Sequence, residues 1–302
     1  MSRRLIALAL AGVLACASAP AAASADDSAA ALEVTHYKIT SRYSTSSEGH
    51  GSSGSSNGRS AYREEVRADV AGCRTRIFDL IDDPERKRPL VEWQMPIVLR
   101  ECPGATPVLA NRDDMLARRD AFLAAIKVTT EACGRYYFTW SVFQIECDPD
   151  AAVEGILKSD LSLIPLEDGA DYRLPDTGTG VTLVLASDTP PGQRVFTGTA
   201  AIDPAYLRDS AADTIMVVAE VSGKTVTREE ALAQIASHQF SGKSTITVVE
   251  EAAADRITTT ITGVVREVDA EGEVATRQGE VVTIRQRVEA ASGSDPSQFS
   301  DD

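Results

Sequence analysis

The sequence CRTRIFDLI, residues 73–81, opens the segment on which the fold of this 302-residue chain depends. The segment ends at Cys147 and contains both tryptophans and four of the five cysteines of the chain. Residues 73–81 are predicted to form a strand, and residues 82–89 form a charged turn after it. A second apolar run, residues 90–101, returns from that turn. We therefore expect a β-hairpin at the start of the segment.

The four cysteines of this segment are predicted to form two disulfides. An even number of cysteines in an exported chain indicates paired thiols, and the close C-x-x-C pairs of zinc sites do not occur. The midpoint between Cys73 and Cys102 lies in the charged turn, so the hairpin would bring their sulfur atoms together. Cys133 would then pair with Cys147. Two other pairings stay open: Cys73 with Cys147 and Cys102 with Cys133, or the crossed arrangement.

Residues 136–147 are aromatic and β-branched with little charge, which is typical of a central strand buried on both faces. One straight strand would hold Cys133 and Cys147 roughly 40 Å apart, whereas a disulfide needs Cα atoms about 4.4 to 6.8 Å apart. The pairing of these two cysteines therefore requires the chain to double back near residues 139–142.

Three helices are predicted from their capping signals. Asn111 is predicted to cap a helix that runs to about Lys127, with an apolar stripe and an acidic first turn where the helix dipole favours negative charge. An Asp-Pro pair begins a shorter helix over residues 148–158. The sequence TREE matches a capping box and begins a helix over residues 227–237.

The chain before the first disulfide is predicted to be a second hairpin with a long mobile tip. Residues 34–45 are rich in Thr, Tyr and Ile, which favours a strand. Residues 61–70 alternate between apolar and charged side chains, and the apolar ones, such as Tyr62, would face a core. Residues 46–60 are mainly Gly and Ser, so we expect a flexible loop that packs against nothing.

Strands dominate the later part of the chain. Buried strands are predicted over residues 181–186 and 214–221 from their β-branched composition. Three longer runs between residues 244 and 288 are predicted to form a meander, and a turn with a glycine over residues 269–273 joins the last two.

We expect two domains of the α+β class. A stretch rich in Gly and Asp near residues 166–180 separates an N-terminal α+β domain, residues 26–165, from a β-rich C-terminal domain, residues 181–290. The Ser- and Asp-rich residues 291–302 are predicted to be a disordered tail. The expected fold has antiparallel β-sheets with a few amphipathic helices, a disulfide-stabilised N-terminal half and a β-meander C-terminal half.

Residues 1–25 have the pattern of a signal peptide. Two arginines precede an apolar run too short for a permanent anchor, and Ala23-Ser24-Ala25 is a small-residue cleavage site. We expect export to the periplasm or the cell exterior, by the general secretory route or alternatively by the twin-arginine route. The sequence VLAC, which ends at Cys16, is similar to a bacterial lipobox, so the alternative product is a lipoprotein anchored to the membrane at Cys16.

Composition restricts the expected partners. Asp and Glu number 45 against 30 Lys and Arg, which gives a formal net charge of −15. An acidic exported chain is a poor candidate for binding nucleic acid or bare anionic lipid. The expected partner is an unknown small ligand or an envelope protein, with membrane attachment only through a lipidated Cys16. The histidines, His36, His50 and His238, lack metal-ligand spacing, and no metal or cofactor is predicted.

The tripeptide Asp176-Thr177-Gly178 is the one weak catalytic candidate. It resembles the catalytic loop of aspartic proteases, in which two paired aspartates share a proton and activate water. A single copy of the tripeptide would require a homodimer. The alternative is an ordinary turn, because Gly and Asp concentrate in turns and the preceding Leu174-Pro175 departs from the apolar strand of that family.

The sequence therefore predicts an exported bacterial cell-envelope protein that binds a ligand or partner without catalysis, on the concave side of an antiparallel sheet. The alternative is an envelope hydrolase with Asp176 as its catalytic residue. A metal-dependent or nucleotide-dependent enzyme is a third hypothesis. Composition and motifs leave open whether the protein is an enzyme.

Overall fold

A computed structural model describes residues 33–49, 52–68, 72–81, 92–139, 142–158, 160, 166–175 and 177–289. The strands among these residues are β1 (Val34–Gly49), β2 (Ser52–Ala68), β3 (Arg74–Leu80), β4 (Ile97–Glu101), β5 (Val108–Leu109), β6 (Tyr136–Phe138), β7 (Val142–Gln144), β8 (Asp171–Arg173), β9 (Gly180–Thr182), β10 (Val184–Leu185), β11 (Gln193–Ala201), β12 (Gln239–Glu251), β13 (Arg256–Val268) and β14 (Val274–Val288). The α-helices are α1 (Arg112–Ala125), α2 (Pro149–Leu157), α3 (Pro204–Val221) and α4 (Arg228–Gln234).

Ten of these strands form one antiparallel sheet in the order β10-β11-β12-β13-β14-β1-β2-β3-β4-β5. The pairs β6–β7 and β8–β9 form two small separate sheets. The predicted α+β fold with antiparallel sheets is confirmed, and so is the meander, which consists of β12, β13 and β14. The predicted boundary near residues 166–180 does not interrupt the large sheet, because β1 pairs with both β14 and β2.

One face of the large sheet lies under the helices, and we call it the inner face. Residues directly opposite each other in neighbouring strands share a face. The strand pairing places Ile246, Ile261, Val281 and Tyr43 opposite one another in one row across β12, β13, β14 and β1. Every second residue along these strands therefore belongs to the inner face.

Two hydrophobic clusters cover the ends of the inner face. At the β3–β4 end, Leu99 and its neighbours pack against Met115 of α1 and the apolar side of α2. At the β11–β12 end, Phe196 and Val248 pack against the segment of residues 172–183. The side chains of Leu99, Met115, Phe196 and Val248 are fully buried, so both ends have an ordinary close-packed core.

The Gly- and Ser-rich residues do not form the predicted mobile loop. Residues 46–49 extend β1 and residues 52–60 belong to β2, with Ser46 opposite Ser55. On its other edge β1 pairs with β14, where Ser46 lies opposite Gln278. The prediction failed because ladder hydrogen bonds join main-chain groups, which satisfies the backbone of a strand even where its side chains are small.

Residues 136–138 and 142–144 pair as β6 and β7 of a hairpin, so the predicted central strand over residues 136–147, buried on both faces, is wrong. Phe138 is 63% exposed, and the side chains of Val142 and Phe143 are exposed as well. The structure joins Cys133 to Cys147 with Cα atoms 5.5 Å apart, and Cys73 to Cys102. This is the local pairing, and the hairpin supplies the doubling back that it requires.

Residues 214–221, predicted to be a strand, lie in helix α3. Asp203 caps this helix by accepting a hydrogen bond from the Ala205 amide at 2.8 Å, and Pro204 follows as its first residue. Buried Ala212 packs with Ala231 of α4. Capping and packing outweigh the β-branched composition of the last two turns, because propensity is a weak influence compared with tertiary contacts.

The three helices predicted from capping signals are present with ends that differ by a few residues. The Asp148 carboxylate accepts a hydrogen bond from the Asp150 amide at the start of α2. The capping box of α4 is complete, because the Thr227 and Glu230 side chains each accept from the backbone amide of the other residue. Asn111, the predicted cap of α1, accepts instead from the Val98 amide at 3.0 Å. Strand β11 was missed.

The predicted signal peptide, with Cys16, and the predicted tail over residues 291–302 lie outside the described residues. The charged turn over residues 82–89 lies outside them as well. No helix within the described ranges is long and apolar enough to cross a membrane.

Candidate functional site

A groove of about 940 Å³ occupies the middle of the inner face, between the two packed ends. Its floor consists of residues of β12, β13, β14 and β1, and its walls include the first half of α3 and the end of α2. We call this space the central groove. It exists because the clusters at the two ends leave these strands without a full cover of helix.

Small residues on the floor of the central groove leave space above the sheet. Ser244, Gly263, Gly279 and Thr45 lie opposite one another on β12, β13, β14 and β1. A Cβ atom added to Gly263 would meet nothing within 4 Å, so the space above this glycine is open. The floor is therefore set by side-chain size in one row of the sheet.

Apolar side chains line one side of the central groove. Tyr206, Leu207 and Ala211 project from α3, and Phe240 lies at the start of β12. On the floor, Val281 is 41% exposed although it faces inward, since it lies in the open part of the inner face. An apolar surface that remains accessible inside a groove is typical of a binding site.

Hydroxyl groups line the rest of the floor. On the floor, Thr283 Oγ1 shares a hydrogen bond of 3.1 Å with Ser41 Oγ of β1, and Ser244 Oγ donates to the Thr262 carbonyl at 3.1 Å. Charged side chains also line the groove: Glu48, Lys158, Glu267, Arg277 and Glu280. The groove thus offers apolar contact on one side and hydrogen-bonding groups on the other.

Next to the central groove lies a group of buried charges, which we call the ion cluster. Its members are Glu64, Arg74, Arg76, Glu101, Asp160 and Arg285. Arg76 is 1% exposed, and its Nε donates to Glu64 Oε1 at 2.6 Å while its Nη1 donates to Glu101 at 3.1 Å and to Asp160. Arg285 donates to the other oxygen of Glu64 at 2.7 Å.

The field of the ion cluster acts on nearby ionisable groups. Burial alone would lower the pKa of Arg76, but Glu64 and Asp160 raise it well above its usual range. Burial, together with the charges of Asp160 and Glu64, raises the pKa of Tyr62 to about 12. Burial and Asp160 likewise raise the pKa of Tyr172 to about 12. Both phenols therefore stay protonated and remain hydrogen-bond donors above pH 10, where an ordinary tyrosine loses its proton.

Asp176, the predicted catalytic candidate, lies outside the described residues. Its neighbour Thr177 is buried, lines the central groove and donates from Oγ1 to the Leu174 carbonyl at 3.0 Å. The hydrolase hypothesis thus stays a prediction. No group of three His, Cys, Asp or Glu side chains within the described part of the chain is placed to hold a metal ion.

Glu64 is the residue of the ion cluster that sequence reasoning missed although a signal was present. The alternation over residues 61–70 places Glu64 on the same face as Tyr62 and Val66, but only the apolar positions were assigned inward. An inward carboxylate in such a pattern predicts a buried cationic partner. The partners Arg76 and Arg285 come from strands on either side of the β1–β2 pair, so sequence distance hides them.

Comparison with known proteins gives little further information. No family model matches the chain, and no curated protein matches it. A solved structure titled "Lipid-protein interactions in lipovitellin" is similar over 86% of this chain, at 13% sequence identity and a TM-score of 0.35. The chain spans 26% of that protein's length. A likeness at this level says nothing about activity or ligand.

Proposed function

We propose that the protein is an exported, non-catalytic binding protein of the bacterial cell envelope that holds a small amphipathic ligand in the central groove. The volume of the groove, about 940 Å³, supports this proposal because small-molecule sites commonly span roughly 300 to 1,000 Å³. The single observation that carries it is the open middle of an otherwise packed inner face.

The chemistry of the lining supports an amphipathic ligand. Tyr206, Leu207 and Phe240 would contact an apolar part of the ligand, and burial of that part would drive binding. The hydroxyl groups of Thr45, Ser244 and other floor residues would orient a polar part. A ligand with both parts matches both sides of the groove.

Export is the second part of the proposal. The leader pattern over residues 1–25 supports it, and the two disulfides are the kind that persist in oxidising compartments. We expect N-terminal sequencing of the mature protein to give a start at Asp26. A start at a lipid-modified Cys16 would contradict simple cleavage and favour the anchored form.

Substitution of the floor glycine tests the groove. Gly263→Phe places a ring in the open space above the floor, and β13 can accept it because that position has ordinary strand geometry and room for a Cβ atom. We expect an uncharged phenylnaphthylamine dye to bind saturably to the natural protein. Fluorescence titration should show roughly tenfold weaker binding by Gly263→Phe, which corresponds to about 1.4 kcal/mol.

Val264→Phe is the matched control, because it adds the same ring to the neighbouring residue on the outer face. We expect its dye affinity to equal that of the natural protein. Equal losses in the two variants, with both folded by circular dichroism, would show that the dye binds elsewhere. Failure of the natural protein to bind the dye saturably would contradict the proposed function.

A further inference from the structure

A cavity of about 40 Å³ adjoins the central groove on the side of the ion cluster. The two spaces share Thr259 and Thr283 as lining residues, one from β13 and one from β14. Tyr62, Arg76 and Arg285 are among the other residues that line the small cavity. A space of this size has room for a water molecule or for one terminal polar group of a ligand, since a water needs about 10–15 Å³.

Arg76 has an unused donor at this cavity. Its Nε and Nη1 atoms bond to carboxylates of the ion cluster, but its buried Nη2 atom has no hydrogen-bond partner among the described residues. A buried donor without an acceptor is unfavourable. The small cavity is therefore lined by a residue with one donor that lacks an acceptor in the described ranges.

The charge of the ion cluster restricts what kind of acceptor fits. Glu64, Glu101 and Asp160 supply three negative charges, and Arg74, Arg76 and Arg285 supply three positive ones. The formal charges cancel. A carboxylate or phosphate brought into the small cavity would add a negative charge beside three arginines that already bond to Glu64, Glu101 and Asp160, and its desolvation would oppose binding. An uncharged acceptor satisfies the free donor without that penalty.

We infer that the small cavity beside Thr259 and Thr283 makes the central groove select amphipathic ligands that end in an uncharged oxygen acceptor, such as an alcohol or an ester, over ligands that end in a carboxylate. This inference rests on the proposed function. It adds the class of the ligand's polar group and the residues that recognise it: the two threonine hydroxyls and Arg76 Nη2.

Competition between two matched amphiphiles tests the selection. Decanol and decanoate share their apolar chain and differ in the end group, and decanoate is ionised at neutral pH. Each amphiphile would compete with the phenylnaphthylamine dye for the mature protein, at concentrations below those at which the amphiphile forms aggregates. We expect decanol to displace the dye at a concentration roughly tenfold lower than decanoate, a difference of about 1.4 kcal/mol.

The variant Asp160→Asn sharpens this test because it removes one negative charge from the ion cluster while keeping a similar shape. The cluster then has one excess positive charge, and we expect decanoate to gain roughly tenfold in affinity relative to decanol. Thr259→Val, which removes a hydroxyl at nearly constant volume, should weaken decanol binding relative to decanoate binding. Circular dichroism of each variant checks that it is folded.

The outcomes separate this inference from the proposed function. Saturable dye binding that Gly263→Phe weakens supports the groove whatever the two amphiphiles do. Equal displacement by decanol and decanoate, stronger displacement by decanoate, or no displacement by either would overturn the selection, as expected if the cavity holds only water. The comparison of decanol with decanoate on the natural protein tests the selection even if Asp160→Asn does not fold.

Discussion

The packed β3–β4 end and the open middle of the inner face differ although they belong to one sheet with one alternating pattern. At the β3–β4 end, inward positions hold Phe78, Leu99 and the buried Arg76, and helices cover them. In the middle, inward positions hold Gly263 and Gly279, and the space above Gly263 is open. Alternation therefore specifies which residues face inward, while their size and the position of the helices specify whether that face becomes a core or a groove.

The difference extends to electrostatics. At the packed β3–β4 end, the charges of the ion cluster are buried and bond to one another. Such a buried group stabilises the fold only while every charge keeps its partner. In the middle, charged side chains such as Arg277 are exposed to solvent, where single ion pairs contribute little. The same kind of residue should therefore have a large effect on stability at one end and a small effect in the middle.

The largest expected effect comes from Arg76→Met. It removes the cation that bonds to Glu64, Glu101 and Asp160 and leaves their charges buried without their shared partner. We expect the free energy of unfolding to fall by about 3–5 kcal/mol, the usual consequence of breaking a buried ion pair. Urea unfolding followed by circular dichroism measures it.

Arg277→Met is the matched control, since it makes the same chemical change on the inner face of β14 at an exposed position. Its effect should stay within about 0.5 kcal/mol, as for most surface substitutions. A similar loss in both variants would contradict the distinction between a packed end and an open middle.

The second prediction concerns the pH dependence of stability in alkali. The pKa of Tyr62 is about 12 in the folded protein, above the value near 10 of an unfolded chain. Between those values the unfolded chain loses a proton that the folded protein keeps, so the contribution of Tyr62 is fully present below pH 10 and is lost as pH approaches 12. The loss is at most about 2–3 kcal/mol.

Comparison of the natural protein with Tyr62→Phe isolates this contribution, because other groups titrate equally in both. We expect the natural protein to lose more stability than the variant between pH 10 and 12 in urea unfolding experiments, and Tyr172→Phe to behave in the same way. Parallel pH profiles for the natural protein and both variants would show that burial and the charges of the ion cluster do not raise the pKa of these phenols.

Much of the packed end could be predicted from sequence, because its signals are local. The hairpin that places Cys73 beside Cys102 follows from two apolar runs around a charged turn, and Asp148 marks the start of α2 directly. The ion cluster was less accessible. The alternating pattern places the Glu64 carboxylate on the inner face. Its partner Arg285, however, lies 221 residues away and is brought near only by the pairing of β1 with β14.

The central groove could not be predicted from sequence for a physical reason. Its floor is a row of small residues, and each one by itself resembles a weak point in a strand or part of a loop. Gly263 and Gly279 become neighbours only through the register of β13 and β14. The run of Gly and Ser over residues 46–60 was assigned to a loop by composition, whereas pairing on both edges of β1 makes part of it the groove floor.

The smallest expected effect is the difference in stability loss when two valines of the inner face are shortened to alanine. Val248 lies in the packed β11–β12 end and is fully buried, whereas Val281 lies on the groove floor and is 41% exposed. Val248→Ala should lower the free energy of unfolding by about 2 kcal/mol, through lost transfer energy and a cavity. Val281→Ala should lower it by less than about 0.5 kcal/mol.

Urea unfolding of the two alanine variants measures how completely each part of the inner face is packed in solution. The two valines lie on β12 and β14, both interior strands of the sheet, so edge effects do not distinguish them. Equal losses would mean that something covers Val281 as tightly as the core covers Val248, and the groove would then be filled in the free protein. A small loss at Val281 together with weaker dye binding would show that this side chain contributes to a ligand site and little to the fold.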